Sequence, residues 1–210
     1  MHIDFQTDDG TGRCSLAARS EATDRALPAA ALLLDAAPLT TDPDRVAVAG
    51  AILFADHSGG ELAFSWPITE AVADAVYTAM GLRITHAVAS AAQGPEPTSP
   101  APPTQATTLS VDASTSLGGP TPGIDRTRLR LVPGERFQGA LYGVKEAVIA
   151  SNAWLLATYL DPARVHLAAG VLFAHDFLAQ GIEIDGALGV SATMPAGAQQ
   201  LCAAVGLDLR

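Results

Sequence analysis

Lysine is nearly missing from this chain, cysteine and aromatic residues are scarce, and no long apolar run occurs. Lys145 stands alone beside eleven arginines, a bias that, with the abundance of alanine, points to a GC-rich coding sequence and to no particular chemistry. Basic residues number 12 against 22 acidic ones, for a formal charge of −10 and an isoelectric point near 4.7. A surface of that sign repels phosphate backbones and anionic headgroups, which argues against nucleic acid or membrane partners. The two cysteines, Cys14 and Cys202, lie near opposite ends without Cys-x-x-Cys or Cys/His spacing. That excludes a zinc module and a disulfide framework, and a reducing cytoplasm is the expected location. The opening MHIDFQTDDGTGR has Asp and His where a signal peptide needs a basic start and an apolar run. No segment approaches the roughly 18 uninterrupted apolar residues of a membrane helix.

What is present is apolar. With 210 residues, 49% of them hydrophobic, the chain has ample material for a core. A mean hydropathy of +0.25 with only 16% charged residues is high for a small monomer, and implies that a partner or a second copy covers some apolar surface.

The most informative feature occurs twice. DPDRVAVAGAILFADH (42–57) and DPARVHLAAGVLFAHD (161–176) align without a gap at a shift of 119 and are identical at eight of sixteen positions. Asp-Pro-x-Arg-Val followed by Leu-Phe-Ala at fixed spacing marks an internal duplication rather than chance matching of alanines. In both copies the Asp suits an N-cap and the Pro suits the first helical position, where its missing amide costs nothing. A helix is expected to follow, with Val46, Gly50, Leu53 and His57 on one face and a small-residue centre, Ala47 to Ala51, suited to close packing. Because RVAVAGAILFA is apolar on all sides, a buried strand is the rival reading; the cap in both copies and the shortage of β-branched residues favour the helix.

Around the repeat, Ile3–Phe5 and Cys14–Ala18 flank the turn-rich DDGTG as a hairpin, with Gly10 and Gly12 supplying positive φ. The Ala/Leu-rich Asp24–Ala37 is expected to be a helix ended by Pro38. Residues 61–66 alternate as a strand, 69–80 form a helix with Gly81 at C′, and 82–88 can close the unit as a strand. The Pro/Ser/Thr-rich 93–107 is a linker between the copies. The second half is expected to repeat the order: a hairpin from 109–113 and 127–132, and a helix from Glu135 to Leu160 on the stripe Phe137, Leu141, Val144, Val148, Leu155 and Tyr159. The repeated helix follows from Asp161, then a strand at 187–193 and a helix at 195–205 with Gly206 at C′. Matching Gly81-Leu82 to Gly206-Leu207 assigns the second copy six extra residues, placed in a loop over 180–186.

No P-loop, Gly-x-Gly-x-x-Gly, Gly-x-Ser-x-Gly, His-Glu-x-x-His or EF-hand loop occurs. One constellation remains. The repeated helix ends in Asp56-His57 in the first copy and His175-Asp176 in the second, the same two residue types in reversed order. Copies packed about a twofold would bring these four groups to one interface, where imidazole and carboxylate suit a divalent metal or a general-base dyad. The simpler explanation places them at helix C-termini leading into loops, where a cationic His is favoured by the dipole and an Asp is not. Arg45 and Arg164, matched one turn into each helix, either meet a carboxylate of the facing copy or lie along their own helix. His2, His86 and His166 read as surface or half-buried residues, and the stripe with Trp154 and Tyr159 as core or subunit interface.

The expected fold is therefore α+β: a duplicated β-hairpin–helix–helix–strand–helix unit, residues 1–92 and 108–210 joined by the linker 93–107, packed as a pseudo-twofold dimer. The expected function is a non-catalytic assembly or protein-interaction protein that binds a protein partner or another copy. The alternative is a small enzyme or metal-binding or ligand-binding protein with its site between the halves. No cofactor motif is present, and a divalent metal at Asp56, His57, His175 and Asp176 is the one candidate.

Overall fold

A computed structural model describes residues 1–85, 88–89, 107–112, 122–184 and 196–210. The DDGTG turn closes a hairpin between β1 (His2–Asp8) and β2 (Arg13–Arg19), paired from His2↔Arg19 to Asp8↔Arg13. Gly12 alone takes a positive φ (66°); the rest of the turn is held by the Asp8 carboxylate, which accepts from the Gly10 amide and the Thr11 hydroxyl.

The run 24–37 is not a helix. Its centre is strand β3 (Ala31–Leu34), antiparallel to β2, with Leu32 and Leu34 in the core and Leu33 half exposed. Three consecutive leucines carry no helical period, and alternate burial against a neighbouring strand outweighs their propensity.

The repeated stretch behaves as read. Asp42 caps α1 (Pro43–Phe54) through the Asp44 amide, and Asp161 caps α4 (Pro162–Phe173) through the Ala163 amide. A single 3-10 turn, Ala55–His57, follows α1. Between the helices run β4 (Glu61–Phe64), β5 (Ile68–Thr69), α2 (Glu70–Met80), β6 (Arg83–Ile84), β7 (Val88–Ala89), β8 (Thr107–Asp112), β9 (Arg126–Pro133), β10 (Ala140–Tyr142), β11 (Glu146–Ser151) and the short α3 (Ala153–Leu156). After α4 come β12 (Ala179–Ile184), α5 (Ala198–Ala204) and β13 (Asp208–Leu209). Gly81 and Gly206 end α2 and α5 with φ of 69° and 71°.

Three further expectations for the second half are corrected. Residues 135–160 are mostly strand and turn, not one long helix. Gly139 takes φ 86°, a short turn at Gly143 reverses the chain, and β10 folds back on β11. Leu141, Val144, Leu155 and Tyr159 of the supposed buried stripe are exposed, whereas Ala147–Ala150 is buried on both faces, as in strands at the centre of a sheet. The strands β8 and β9 are parallel, Thr108↔Arg126 to Asp112↔Arg130, and so are not a hairpin, because parallel neighbours cannot be joined by a tight turn. Residues 180–184 lie in β12 rather than a loop. The linker up to residue 106 and the strand expected at 187–193 fall outside the described residues.

Eleven strands form one mixed sheet in the order β13-β12-β8-β9-β11-β3-β2-β1-β4-β6, with β10 also on β11; β5 and β7 form a separate pair. At its centre β11 and β3 meet antiparallel through a single ladder pair, Ser151↔Leu34. The helices α1 and α4 pack side by side, α1 on β1 and β2, α4 on β8 and β12. The small-residue centre serves this seating. A Cβ on Gly50 would sit 2.9 Å from Ile3 Cγ2, and one on Gly170 would sit 2.8 Å from Val111 Cγ2. Helices α2 and α5 lead into strands at opposite edges of the sheet and yet touch each other, so the sheet curls around α1 and α4. Residues 46–54 and 165–173 are consequently buried on every side.

Candidate functional site

The four His/Asp candidates occupy two places. Asp56, exposed beyond α1, pairs at 2.8 Å with Arg164, whose guanidinium also donates to the Ile52 carbonyl at 3.3 Å. His57 is half-buried; its carbonyl accepts from the Arg25 amide. His175 is exposed after α4. Asp176 binds the Leu39 amide, with both oxygens 3.1 Å away. Burial pushes the Asp176 carboxyl above its ordinary range, against the Leu39 and Thr40 amides and the charges of His175 and Arg45. Arg45 itself pairs with Asp42 at 3.6 Å. Each helix thus has its first-turn arginine near the end of the other: Arg164 at Asp56, and Arg45 within electrostatic reach of Asp176. The helices are antiparallel, and twelve residues span about 18 Å. The two His/Asp pairs therefore sit at opposite ends of the helix pair. Among the described residues no group of three or more His, Cys, Asp or Glu side chains could hold a metal ion. Arg164 meets a carboxylate of the facing half, one of the two roles its sequence position left open.

Other titratable groups have structural roles. Burial drives the Cys14 and Cys202 thiols up to about 12, so neither supplies a thiolate at neutral pH; Cys14 donates to the Ala36 carbonyl. On the side of the sheet away from α4, Arg130 of β9 is 1% exposed, with Nη2 2.9 Å from Glu146 Oε1 and Nε 3.4 Å from Asp112 Oδ2. Arg128 and Arg126 occupy alternate positions of the same strand and face Glu146 and Glu183. The alternation RTRLR is visible in the sequence as one charged strand face.

His166, which stands where the first repeat has Ala47, is 4% exposed in α4. Burial lowers its pKa below 6.5, against a hydrogen bond to the Pro162 carbonyl and the charge of Asp112. The unfolded chain therefore takes up the proton more readily than the native one. Stability is complete above the unfolded pKa and falls as pH drops below about 6.5 towards the lowered native value. Replacing His166 with Ala is expected to flatten this part of the pH profile, read as the urea midpoint at pH 7.5 and pH 5. An identical slope in wild type and variant would show that His166 is not its source.

The seam between β3 and β11 carries the open surface. Asn152 follows β11 and works there as a substitute strand. Its carboxamide oxygen accepts from the Leu33 amide at 2.8 Å and its NH2 donates to the Ala31 carbonyl at 2.9 Å. Asp35 joins the same place, accepting from the Gly139 amide and pairing with Arg13 Nε at 3.0 Å. Between these groups lies a cleft of about 270 Å³ lined by Leu33, Asp35, Gly134, Glu135, Ala150, Ser151, Asn152 and Trp154. A second cleft of similar size lies on the other side of Leu33 and Asp35, against β1 and β2. Leu33 and Trp154 remain 50% and 44% exposed. Trp154 is a surface residue, not core. Sequence reasoning missed this cleft because Leu33, Asp35 and Glu135 fell within segments read as helices; Gly134, Gly139 and Gly143 were the signal against the second of these.

Protein-family models, curated proteins and solved structures yield no match to this chain. Function must therefore be argued from its own residues. Among the described residues, no helix is long and apolar enough to cross a membrane.

Proposed function

We propose that this protein is a non-catalytic interaction or assembly module, built by internal duplication, whose contact surface is the seam between the two halves. The duplication is supported by the sheet order, which reads outward from the central pair as β3-β2-β1-β4-β6 on one side and β11-β9-β8-β12-β13 on the other. Each half then runs three strands, capped helix, strand, helix, strand, with β10, α3 and the β5–β7 pair as additions. A pseudo-twofold through the β3–β11 pair relates α1 to α4 and α2 to α5. The direction of β9 departs from it, since β2 is antiparallel to β1 while β9 is parallel to β8.

The observation that carries the interaction reading is the pair Leu33 and Trp154, large apolar side chains half exposed in one cleft. Aromatic anchors in a pocket dominate the energetics of protein interfaces. The double substitution Leu33→Ser and Trp154→Ala is expected to leave the circular dichroism spectrum unchanged. It should abolish the self-association of the wild type in sedimentation velocity, or its retention of a co-purifying protein. Identical behaviour of wild type and variant would sink the reading.

A further inference from the structure

Resting on that reading, we propose that the seam cleft receives the guanidinium of an arginine side chain presented by a protein partner. The lining residues contribute two carboxylates, Asp35 and Glu135, and no basic side chain. Asp35 is already engaged by Arg13 from the side of the neighbouring cleft, and the Asn152 carboxamide is committed to the backbone of β3. Glu135 has no hydrogen-bond or ion-pair partner among the described residues and is the acceptor left open. Trp154, 44% exposed, lines the same cleft.

A planar cation that stacks on an indole and forks onto a carboxylate satisfies both groups, and arginine does this better than lysine because its guanidinium is flat, weakly hydrated and bidentate. The apolar part of the lining, Leu33, Ala150 and Gly134, suits the methylene stem of the same side chain. Charge complementarity extends beyond the cleft, since a chain of net charge −10 attracts a basic partner from a distance and repels an acidic one.

The test is a titration of the intact protein with N-acetyl-arginine N-methylamide, a neutral-backbone probe carrying one guanidinium, followed by 1H–15N chemical shifts. The expected result is saturable shifts at the Trp154 indole and Asn152 carboxamide, weak in affinity as a single side chain must be. Shifts should be smaller with the lysine analogue and absent with the uncharged citrulline analogue. Glu135→Gln, at an exposed position, should weaken binding by about fivefold. Trp154→Ala should abolish it and Trp154→Phe should restore it in part.

Shifts scattered over the acidic surface, equal response to citrulline, or no response would overturn the assignment. The two readings fail separately. If Leu33→Ser/Trp154→Ala disrupts association while the probe leaves the cleft unshifted, the interface stands and the arginine assignment falls. If the probe binds in the cleft but association is indifferent to those substitutions, the interface reading falls.

Discussion

Replacing Arg130 with alanine is expected to cost about 3–5 kcal/mol of folding stability, the range for removing one partner from a buried ion pair. The side chain is 1% exposed and bridges two strands, contacting Asp112 on β8 and Glu146 on β11. Its loss leaves Asp112, whose side chain is only 9% exposed, without that counter-charge in a poorly solvated site. Glu146 is partly open to water and suffers less. Arg130→Lys keeps the charge but not the fork that serves two carboxylates, and should recover only part of the loss. The double variant Arg130→Met/Asp112→Leu removes both buried charges and is expected to be far closer to wild type than Arg130→Ala. Urea unfolding followed by circular dichroism measures all three. A cost below about 1 kcal/mol for Arg130→Ala would show that the buried ion pair does little for stability.

The second large effect is expected at Gly197→Ala. Gly197 opens α5 with φ 79°, and a Cβ there would stand 2.6 Å from Ala79 Cβ and 2.9 Å from the Ala79 carbonyl oxygen on α2. Two penalties combine: about 1 kcal/mol for an L-residue in left-handed backbone, and about 1–3 kcal/mol for overpacking against a helix that cannot yield at its backbone. At this chain length each kcal/mol lowers the melting temperature by about 2–4 °C, so a drop of roughly 5–15 °C is expected in calorimetry. Gly206→Ala is the internal control. Gly206 has nearly the same φ, 71°, with open space beside it, and should show the backbone penalty alone. If the two variants melt together, the contact between α2 and α5 is not tight, and the curl of the sheet loses its main support at the helix side.

Both effects arise where distant segments meet, and that is where sequence reasoning was weakest. The capped helices α1 and α4 were legible because Asp-Pro acts within one turn, and the C′ glycines 81 and 206 because a positive φ is a property of one residue. The first hairpin was legible because its turn is four residues long and Asp8 folds it locally. Strand β3 was not, since ALLL is a good helix sequence until β2 pairs with it on one edge and Asn152, 119 residues from Leu33, satisfies the other. The segment 135–160 misled for a related reason. Its apolar residues fall at helical spacing, but their burial was settled by the parallel pairing of β11 with β9, which no local pattern encodes.

The candidate site divides in the same way. The reversed order of Asp56-His57 and His175-Asp176 was plain in the chain, as was the matching of Arg45 and Arg164. Which residues those arginines approach depended on the antiparallel seating of α1 against α4, and that seating draws the two His/Asp pairs apart. The seam cleft, assembled from residues 33–35, 134–135 and 150–154, exists only through the β3–β11 pairing.

What the sequence determined by itself is thus the repeat, its two capped helices, their small-residue centres and the acidic, lysine-poor surface. Each of these follows from interactions within a turn or from net charge, and none requires knowledge of neighbours. What only the tertiary structure decided is the direction of β9, the separation of the His/Asp pairs and the existence of an open cleft beside Trp154. The physical reason is that strand pairing and helix seating join segments well separated along the chain, β9 to β8 and β11 as well as Leu33 to Asn152, and their free energy resides in surfaces that neither segment displays alone.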